Sequence, residues 1–325
     1  MREIGWKKQQ VRKKWRSLLS IIITITLLFA IVNGLSRGFS FKNKIEKGRW
    51  DGKSSFTVAV NSDNPSLIII RPDPKKIAAL ALDAEVIYET GNWEKPLEKI
   101  SEKIDSGEEL AEALTKAYGV KVENFVMLGE KFKMDEEQLN KMFIKFASIT
   151  TPLQLLTGGW KDGLENTNIT LKDAFSLWWQ LKGFRQNELV FMDVADYKEE
   201  IVNSNDSKVL GIDTVSLNKK ASEYMENLLV INDKSNIRII NNTKYNSAGL
   251  LAASFIRSIG GNVIEIRNLQ NGSDRTKVTV RNKNSYTAGY LANIFDCDIN
   301  EAENLENEGE ITLSIGSEFV KKYFE

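Results

Sequence analysis

The stretch SAGLLAASF at residues 247–255 returns, with changes, as TAGYLANIF at residues 287–295. Each copy follows a segment in which apolar and polar residues alternate, NIRIINN at 236–242 and TKVTVRN at 276–282. Such alternation is typical of a strand, and the apolar residues of each later segment recur at helical spacing. The pattern therefore predicts two copies of one strand–helix unit.

Each helix is followed by another strand, GNVIEIRN at 261–268 and GEITLSIG at 309–316. The order βαββαβ, with both helices on one face, predicts a ferredoxin-like α/β sandwich over residues 236–325. Small residues in the helices would let them sit close on the sheet. The helix-start turns of the repeat are interpreted as structural, and their residues are Asn242, Ser247, Gly249, Thr287 and Gly289. Anion binding at these turns is the alternative, but no basic pattern stands beside them.

Composition narrows the possible chemistry. The 325 residues allow about two globular domains. The chain has no histidine, which excludes Ser-His-Asp and Cys-His catalysis and histidine metal sites. Its one cysteine, Cys297, excludes internal disulfides and is interpreted as a small packing residue. Phosphoryl-transfer chemistry would rest on carboxylates, Lys, Arg or a carboxylate-held Mg²⁺.

The net charge of zero conceals an asymmetry. Residues 1–49 carry 12 Lys/Arg against 2 Glu, whereas the remainder carries 32 Lys/Arg against 42 Asp/Glu. Basic charge confined to one terminus favours a membrane flank over a nucleic-acid surface, so no nucleic-acid partner is predicted.

Residues 17–35, SLLSIIITITLLFAIVNGL, are free of charged side chains. As a helix this segment would reach about 28 Å, close to the ~30 Å hydrocarbon core. It is longer than the apolar core of a signal peptide and no small-residue cleavage site follows, so an uncleaved single-pass helix is predicted. The Lys/Arg excess before it favours a plasma-membrane protein with a cytoplasmic N-terminus and an extracytoplasmic region after about residue 40.

Residues 55–215 alternate strand-like and helix-like stretches, which predicts an α/β sandwich. The predicted strands are SFTVAV (55–60), SLIIIRP (66–72), AALALDAEVIY (78–88), VENFVML (122–128) and ELVFMDV (188–194), and the predicted helices are EELAEALTKAYGV (108–120), DEEQLNKMFIKF (135–146) and LKDAFSLWWQLKG (171–183). Trp160, Trp178 and Trp179 are interpreted as core residues, with sugar stacking at Trp160 as the alternative.

Five short motifs occur in order along the C-terminal region. They are Asn241-Asn242-Thr243, Gly249-Leu250-Leu251-Ala252, Gly260-Gly261-Asn262-Val263, Thr276-Lys277-Val278 and Ile315-Gly316. Over about residues 236–320 this pattern resembles the LytR C-terminal domain, which occurs on bacterial envelope proteins. Asn242 stands where that family usually has glycine, and both residue types tolerate the left-handed backbone.

The segments SLIIIRPDPKKIAALAL, GEELAEALTKAYGVKVENFVML and NTNITLKDAFSLWWQLKGF resemble parts of the LytR–CpsA–Psr domain. Catalytic members of that family move glycopolymers from a polyprenyl-pyrophosphate carrier to the cell wall. Where the family has Pro-Arg-Asp, this chain has Asp83-Ala84-Glu85. The arginine that the resemblance implies for gripping pyrophosphate is therefore absent, and the acid survives only as Glu85. A family Asp near the first strand falls on Asn61.

The resemblance implies a degenerate domain that serves as a binding or scaffolding module for a cell-wall polymer or an envelope protein. A residual polyphosphate or metal site would be formed by Asn61, Asp63, Arg71, Asp83 and Glu85. No catalytic residue, metal ligand or cofactor is otherwise predicted. The alternative is an active Mg²⁺-dependent phosphotransferase that attaches glycopolymers from polyprenyl pyrophosphate to the wall, and it needs Arg71 or Arg185 to replace the lost arginine. Convergence of Arg71, Glu85 and Arg185 on one cleft would favour the enzyme, and dispersal would favour the binding module.

The predicted organisation is a basic cytoplasmic tail (1–16), a transmembrane helix (17–35), a linker (36–54), a degenerate LytR–CpsA–Psr-like α/β domain (55–215), a connecting segment (216–235) and a LytR C-terminal-type domain (236–325).

Overall fold

The computed structural model of the chain describes residues 50–83, 85–92, 95–103, 105–182, 185–193, 197–202, 208–269, 272–282, 284–302 and 310–324. Nearly all of their elements belong to one compact unit, Arg49–Ile169 with Asp173–Glu325, and the other unit is Met1–Gly48 with Thr170–Lys172. The predicted transmembrane helix at 17–35 lies outside the described residues, as does Ala84. Within the described ranges, no helix combines the length and apolar character needed to cross a membrane.

Three antiparallel strands form the centre of the first sheet: β1 (Phe56–Val60), β2 (Ser66–Arg71) and β3 (Lys76–Ala81). The whole of β1 and β2 is buried, and only Lys76 of β3 is exposed. Burial on both faces explains why these strands are continuous apolar runs in the sequence rather than alternating ones. The predicted β1 and β2 are confirmed.

The remaining elements of the chain up to residue 233 are β4 (Ile87–Asn92), β5 (Lys95–Lys99), α1 (Gly107–Tyr118), β6 (Asn124–Leu128), α2 (Glu136–Phe146), α3 (Thr151–Thr157), β7 (Leu164–Thr167), α4 (Leu171–Leu181), β8 (Leu189–Asp193), β9 (Lys198–Val202), β10 (Lys208–Ile212), α5 (Thr214–Met225) and α6 (Leu228–Asp233). The first sheet has the order β7-β6-β1-β2-β3-β8, while β4 pairs with β5 and β9 with β10 in separate hairpins.

One predicted strand, 78–88, is wrong because it spans two strands. β3 ends at Ala81 and β4 begins at Ile87. Between them the Asp83 carboxylate accepts a hydrogen bond from the Glu85 backbone N–H at 3.0 Å. An aspartate that bonds to the backbone two residues on forms a turn that interrupts a strand.

The first sheet is covered on both faces. Side chains of β2 alternate, so that Leu67 and Ile69 belong to one core and Ile68 and Ile70 to another. Helix α1 covers the first of these faces, which we call the α1 face, and helices α2 and α4 cover the second, the α2–α4 face. The structure is therefore a mixed α/β fold, as predicted.

The second sheet has five strands in the order β12-β11-β15-β13-β14. Its elements are β11 (Asn236–Asn241), α7 (Asn246–Ser258), β12 (Asn262–Asn268), β13 (Lys277–Val280), α8 (Tyr286–Ile294), β14 (Asp298–Glu301) and β15 (Glu310–Ile315), followed by α9 (Ser317–Tyr323). β11–α7–β12 and β13–α8–β14 are each a parallel βαβ unit. β15 lies between them, parallel to β11 and antiparallel to β13.

The ferredoxin-like prediction is wrong in topology. A ferredoxin-like fold is built from split βαβ units, whereas here the two strands of each unit are direct neighbours. The predicted closing strand of the second copy, 309–316, is the central strand β15. The strand that closes that copy is β14, DINE, which is largely exposed at the sheet edge. A polar edge strand lacks the apolar alternation from which strands are predicted.

Helix α5 packs between α1 and α7 and connects the two sheets. The Asn218 amide donates to the carbonyls of Tyr118 and Gly119 at 3.1 and 2.9 Å, and the Ser254 hydroxyl donates to Gly119 O at 2.7 Å. One apolar core extends from the α1 face of the first sheet to the second sheet. The predicted connecting segment, 216–235, thus contributes to that core through Leu217 and Ala221.

Candidate functional site

The predicted polyphosphate or metal site falls on two opposite edges of the first sheet. The register pairs Val60 with Ser66 and Ser66 with Ala81, which places the ends of β1 and β3 at one edge. Asn61, Asp63, Asp83 and Glu85 follow those strand ends, and we call this the acid edge. Arg71 ends β2 and pairs with Lys76 at the other edge. Five residue steps of a strand separate the edges by about 17 Å.

Asn61 is a structural residue at the acid edge. Its side chain is buried, its Oδ1 accepts from the Leu128 N–H at 2.6 Å and its Nδ2 donates towards Leu128 O at 3.5 Å. These bonds fix the end of β6 to the end of β1. Asp63 is exposed, and its backbone N–H donates to Phe132 O at 3.1 Å. The polar groups of Asn61 are therefore used by the backbone.

The two acids after β3 are each paired with a lysine. The Asp83 Oδ2 lies 3.2 Å from the Lys198 ammonium, and the Glu85 Oε2 lies 3.0 Å from that of Lys99. The Glu85 backbone N–H, and then Lys198, lower the pKa of Asp83 in spite of its partial burial. Within the described part of the chain, no group of three or more acidic or cysteine side chains is arranged to hold a metal ion. Asp83 and Glu85 of the acid edge are thus each neutralised by an ion pair.

Arg71 connects the β2–β3 turn to the end of helix α5. Its side chain is only 6% exposed. The Nε donates to Asp73 O at 3.1 Å, while Nη1 donates to Glu223 O at 3.3 Å and lies 3.4 Å from the Glu226 carboxylate. A guanidinium at a helix C-terminus also complements the helix dipole. The position and bonds of Arg71 indicate a structural role.

Arg185 lies at the Arg71 edge and not at the acid edge. It precedes β8, whose Leu189 pairs with Ile77 at the start of β3. In addition, Lys75 in the β2–β3 turn donates to Lys182 O at 3.4 Å, close to Arg185 in the chain. The structure therefore separates Arg71 and Arg185 from Glu85. Lys99 and Lys198 were missed by sequence reasoning, since nothing in their spacing signals that they pair with these acids.

Among the five turn residues of the repeat, the two glycines differ in how closely they pack. A Cβ on Gly249 would lie 3.1 Å from Ile266 Cγ2 and 3.4 Å from the Asn241 Cβ, so α7 sits close on the sheet as predicted. Gly289 is exposed, and a Cβ there would meet nothing within 4 Å. The prediction of close packing is therefore wrong for Gly289. Asn242 does not have a positive φ, so its backbone does not use the left-handed conformation that asparagine and glycine tolerate.

The start of α8 is satisfied by protein groups. At α8 the Asp233 carboxylate accepts from the Thr287 N–H at 3.1 Å and from the Ser285 hydroxyl at 2.8 Å. Burial alone would raise the pKa of Asp233, but hydrogen bonds from Thr287 and Ser285 outweigh it and lower the pKa. Before α7, the buried Asn241 donates to Tyr245 O at 2.7 Å and accepts from the Thr243 hydroxyl at 2.7 Å. The α8 start therefore already holds a carboxylate, which supports its structural interpretation.

A cleft that the sequence did not suggest lies between the end of α8 and α9. One part of it, about 260 Å³, is lined by residues that include Lys121, Lys322, Asp296 and Glu318. Burial lowers the pKa of Lys121, whose ammonium hydrogen-bonds to the Tyr323 hydroxyl. An adjoining pocket contains Cys297, and burial raises the pKa of this thiol to about 11. Cys297 packs against the apolar core, as predicted, and the mixed charges of the cleft select no class of ligand.

All three tryptophans interpreted as core residues are partly or largely solvent-exposed. Trp179 is 64% exposed, so the core prediction is wrong for it. Trp160 is half-buried, with the Lys161 ammonium 5.3 Å from its ring centroid. Trp178 is half-buried, and its indole N–H donates to Ser148 O at 2.9 Å. The Trp178 and Trp179 rings belong to α4, on the α2–α4 side of the first sheet.

No family model and no curated protein matches the chain. Solved structures that resemble it include B. subtilis TagV, with 13% identity and a TM-score of 0.41 over 51% of this chain and 94% of that chain. B. subtilis TagU has 13% identity and a TM-score of 0.36 over 54% and 98%. The LytR-CPS2A-psr family protein YwtF (TagT) with bound octaprenyl pyrophosphate lipid has 12% identity and a TM-score of 0.33 over 54% and 89%. At these values the likeness assigns neither a family nor an activity to the chain.

Proposed function

We propose that this chain is a membrane-anchored, extracytoplasmic bacterial envelope protein that binds or scaffolds, and that it is a non-catalytic relative of cell-wall glycopolymer transferases. The uncharged run at 17–35 and the basic flank before it support the anchor and its orientation. The ordered motifs over 236–320 support the relation to the LytR C-terminal domain. A cell-wall polymer or another envelope protein is the proposed partner.

The proposal that the chain is non-catalytic rests on the distance between the two edges of the first sheet. Binding a pyrophosphate requires cations, best supplied by arginine side chains with free donors, or a bridging metal. Arg71 is used by the α5 terminus, and Arg185 lies at the same distant edge. The lysines at the acid edge are already paired with Asp83 and Glu85. This dispersal favours a binding module over an enzyme.

The test uses the full chain in lipid nanodiscs with octaprenyl pyrophosphate, the lipid bound in the TagT structure, with and without Mg²⁺. Binding of the lipid and release of phosphate or polyprenyl phosphate are both measured. We expect no turnover in either condition. The proposal would be overturned by metal-dependent turnover that is abolished in Glu85→Ala and retained in the control Glu165→Ala on exposed β7.

The proposed topology has its own test. Leu250 is 60% exposed on α7, so a Leu250→Cys variant in a Cys297→Ser background provides one accessible thiol. Intact cells are treated with a membrane-impermeant maleimide before and after permeabilisation. We expect equal labelling in both samples, and labelling only after permeabilisation would place the second sheet on the cytoplasmic side.

A further inference from the structure

The α2–α4 side of the first sheet carries large apolar side chains that point to solvent. We call this set the apolar patch, and its members are Ile144, Ile149, Leu153, Leu156 and Trp179, with exposed fractions of 62%, 90%, 66%, 52% and 64%. Single exposed apolar residues are ordinary on protein surfaces, but a contiguous group marks an interaction surface. The question is therefore whether these five side chains form one surface.

Three contacts indicate that they do. Leu153 and Leu156 are spaced i and i+3, so they fall on one side of α3, while Leu155 is buried on another side and Ile149 lies in the turn just before the helix. The bond from the Trp178 indole to Ser148 O fastens α4 beside Ile149. The Trp178 and Trp179 rings then lie 6.1 Å apart, edge to face. The Thr151 hydroxyl donates to Lys145 O at 3.2 Å, which brings the end of α2, with Ile144, to the start of α3.

Lysine side chains border the patch at its tryptophans. The Lys182 ammonium is 4.7 Å from the ring centroid of Trp179. Trp160, in the short 3-10 turn that follows α3, has the Lys161 ammonium 5.3 Å from its ring centroid. Aliphatic side chains flanked by tryptophan and lysine are typical of a membrane interface, where the rings lie at headgroup level and lysines extend towards water.

The chain enters the described fold along the same helix, α4. The Trp50 N–H donates to Asp173 Oδ1 at 3.1 Å, and the Gln180 amide donates to Gly52 O at 3.1 Å. Only residues 36–49 separate Trp50 from the uncharged run at 17–35. Fully extended, such a connection reaches at most about 50 Å. An anchored chain therefore keeps α4 within reach of the bilayer.

We infer that the apolar patch docks onto the surface of the lipid bilayer. The inference rests on the anchor of the proposed function. Because the connection is short, the patch meets lipid at a high effective concentration, and shallow insertion of a few side chains is enough to hold it. Docking would orient the protein, since the α1 face and the second sheet lie on the opposite side of the first sheet and would point away from the bilayer, towards the wall.

The test places an environment-sensitive bimane label on Leu153→Cys in a Cys297→Ser background of the full chain. The matched control is Leu250→Cys, which has a similar exposed fraction (60% against 66%) but lies on α7 of the second sheet. Both proteins are reconstituted in vesicles with ordinary lipids or with lipids brominated on the acyl chain. We expect bromine quenching at position 153 to exceed that at 250 at least about threefold, and Leu156→Cys to repeat the result.

The outcomes separate the inference from the anchor. If the protein does not float with the vesicles in a density gradient, both the proposed anchor and this inference are overturned. Flotation with equal, weak quenching at 153 and 250 overturns docking alone. A blue shift at 153 that grows with protein density, without bromine quenching, would assign the patch to a second copy of the chain and likewise overturn docking on lipid.

Discussion

The two halves of the C-terminal repeat share a chain order but not their contacts. In the first, β11–α7–β12, Gly249 lets the helix lie against Ile266, and α7 packs on α5. In the second, β13–α8–β14, Gly289 faces solvent, and α8 is held at its start by Asp233. The same glycine of the repeat thus supports packing in one half and has no packing role in the other. A sequence repeat predicts a repeated backbone structure, whereas the residues packed around each copy determine which contacts its side chains make.

The second half also touches the start of the described chain. The Tyr286 hydroxyl donates to Asp51 Oδ2 at 3.0 Å and accepts from the Asn227 amide at 3.0 Å. Asp51 directly follows Trp50. Helix α8 is therefore bonded to the segment that leads from the proposed anchor. Both halves contribute to the common core, and the second half also holds the chain entry.

The largest contrast between the halves is expected at Asn241. Asn241→Ala removes a buried amide that bonds to Tyr245 O, Asn268 and Thr243, and leaves buried polar groups unsatisfied. We expect a loss of about 3 kcal/mol in the free energy of unfolding. Arg281, the exposed residue that corresponds to Asn241 in the second half, provides the control Arg281→Ala. Urea denaturation of the full chain in mild detergent checks both, and equal losses would contradict the contrast.

The two glycines should respond with opposite sign to one substitution. Gly249→Leu drives a side chain into Ile266 and Asn241, and overpacking of this kind costs about 2 kcal/mol. Gly289→Leu replaces an exposed glycine inside α8 with a good helix former and should stabilise by about 0.5 kcal/mol. The difference in urea midpoint between the variants is the measurement. Destabilisation of similar size by both would mean that α8 also packs closely.

Asp233 gives the second half its own pH dependence. Asp233→Asn weakens the bonds to Thr287 and Ser285 and should cost about 1 kcal/mol at pH 7, as loss of a helix cap does. Because the folded pKa of Asp233 is lowered, this stabilisation is present above the unfolded pKa of about 3.9 and is lost as pH falls through the folded pKa. Wild type and variant should therefore converge in stability at low pH. Curves that stay parallel between pH 7 and 3 would rule out this role.

β1, β2 and α1 could be predicted from the sequence because their buried positions are occupied by apolar residues. Both strands are buried on two faces and so are apolar throughout, while α1 has a Ser106 cap and ends at a left-handed Gly119. β9, KEEIV, and β14, DINE, were missed because they are held by backbone pairing and carry few apolar side chains. A local sequence pattern shows the periodicity of apolar residues, but it does not show which polar segment pairs at the edge of a sheet.

The candidate site was predicted as a set of residues but not as a geometry. Asp83 and Glu85 do lie together, because they are close in sequence. Arg71 is at the far edge, since the antiparallel register of β2 and β3 carries it there. The pairing of Asp83 with Lys198 joins residues that are 115 positions apart, and no local spacing contains that information.

The claim that this chain recognises rather than transfers is tested most directly by a transfer assay. Full-length protein in vesicles is mixed with Mg²⁺, an octaprenyl pyrophosphate that carries a radiolabelled glycan, and purified wall fragments. Label covalently bound to the wall is counted after extraction with denaturant. We predict no label above a protein-free control. Label that appears with the wild-type chain and is lost in Asp83→Ala and Glu85→Ala would contradict it and identify the acid edge as an active site.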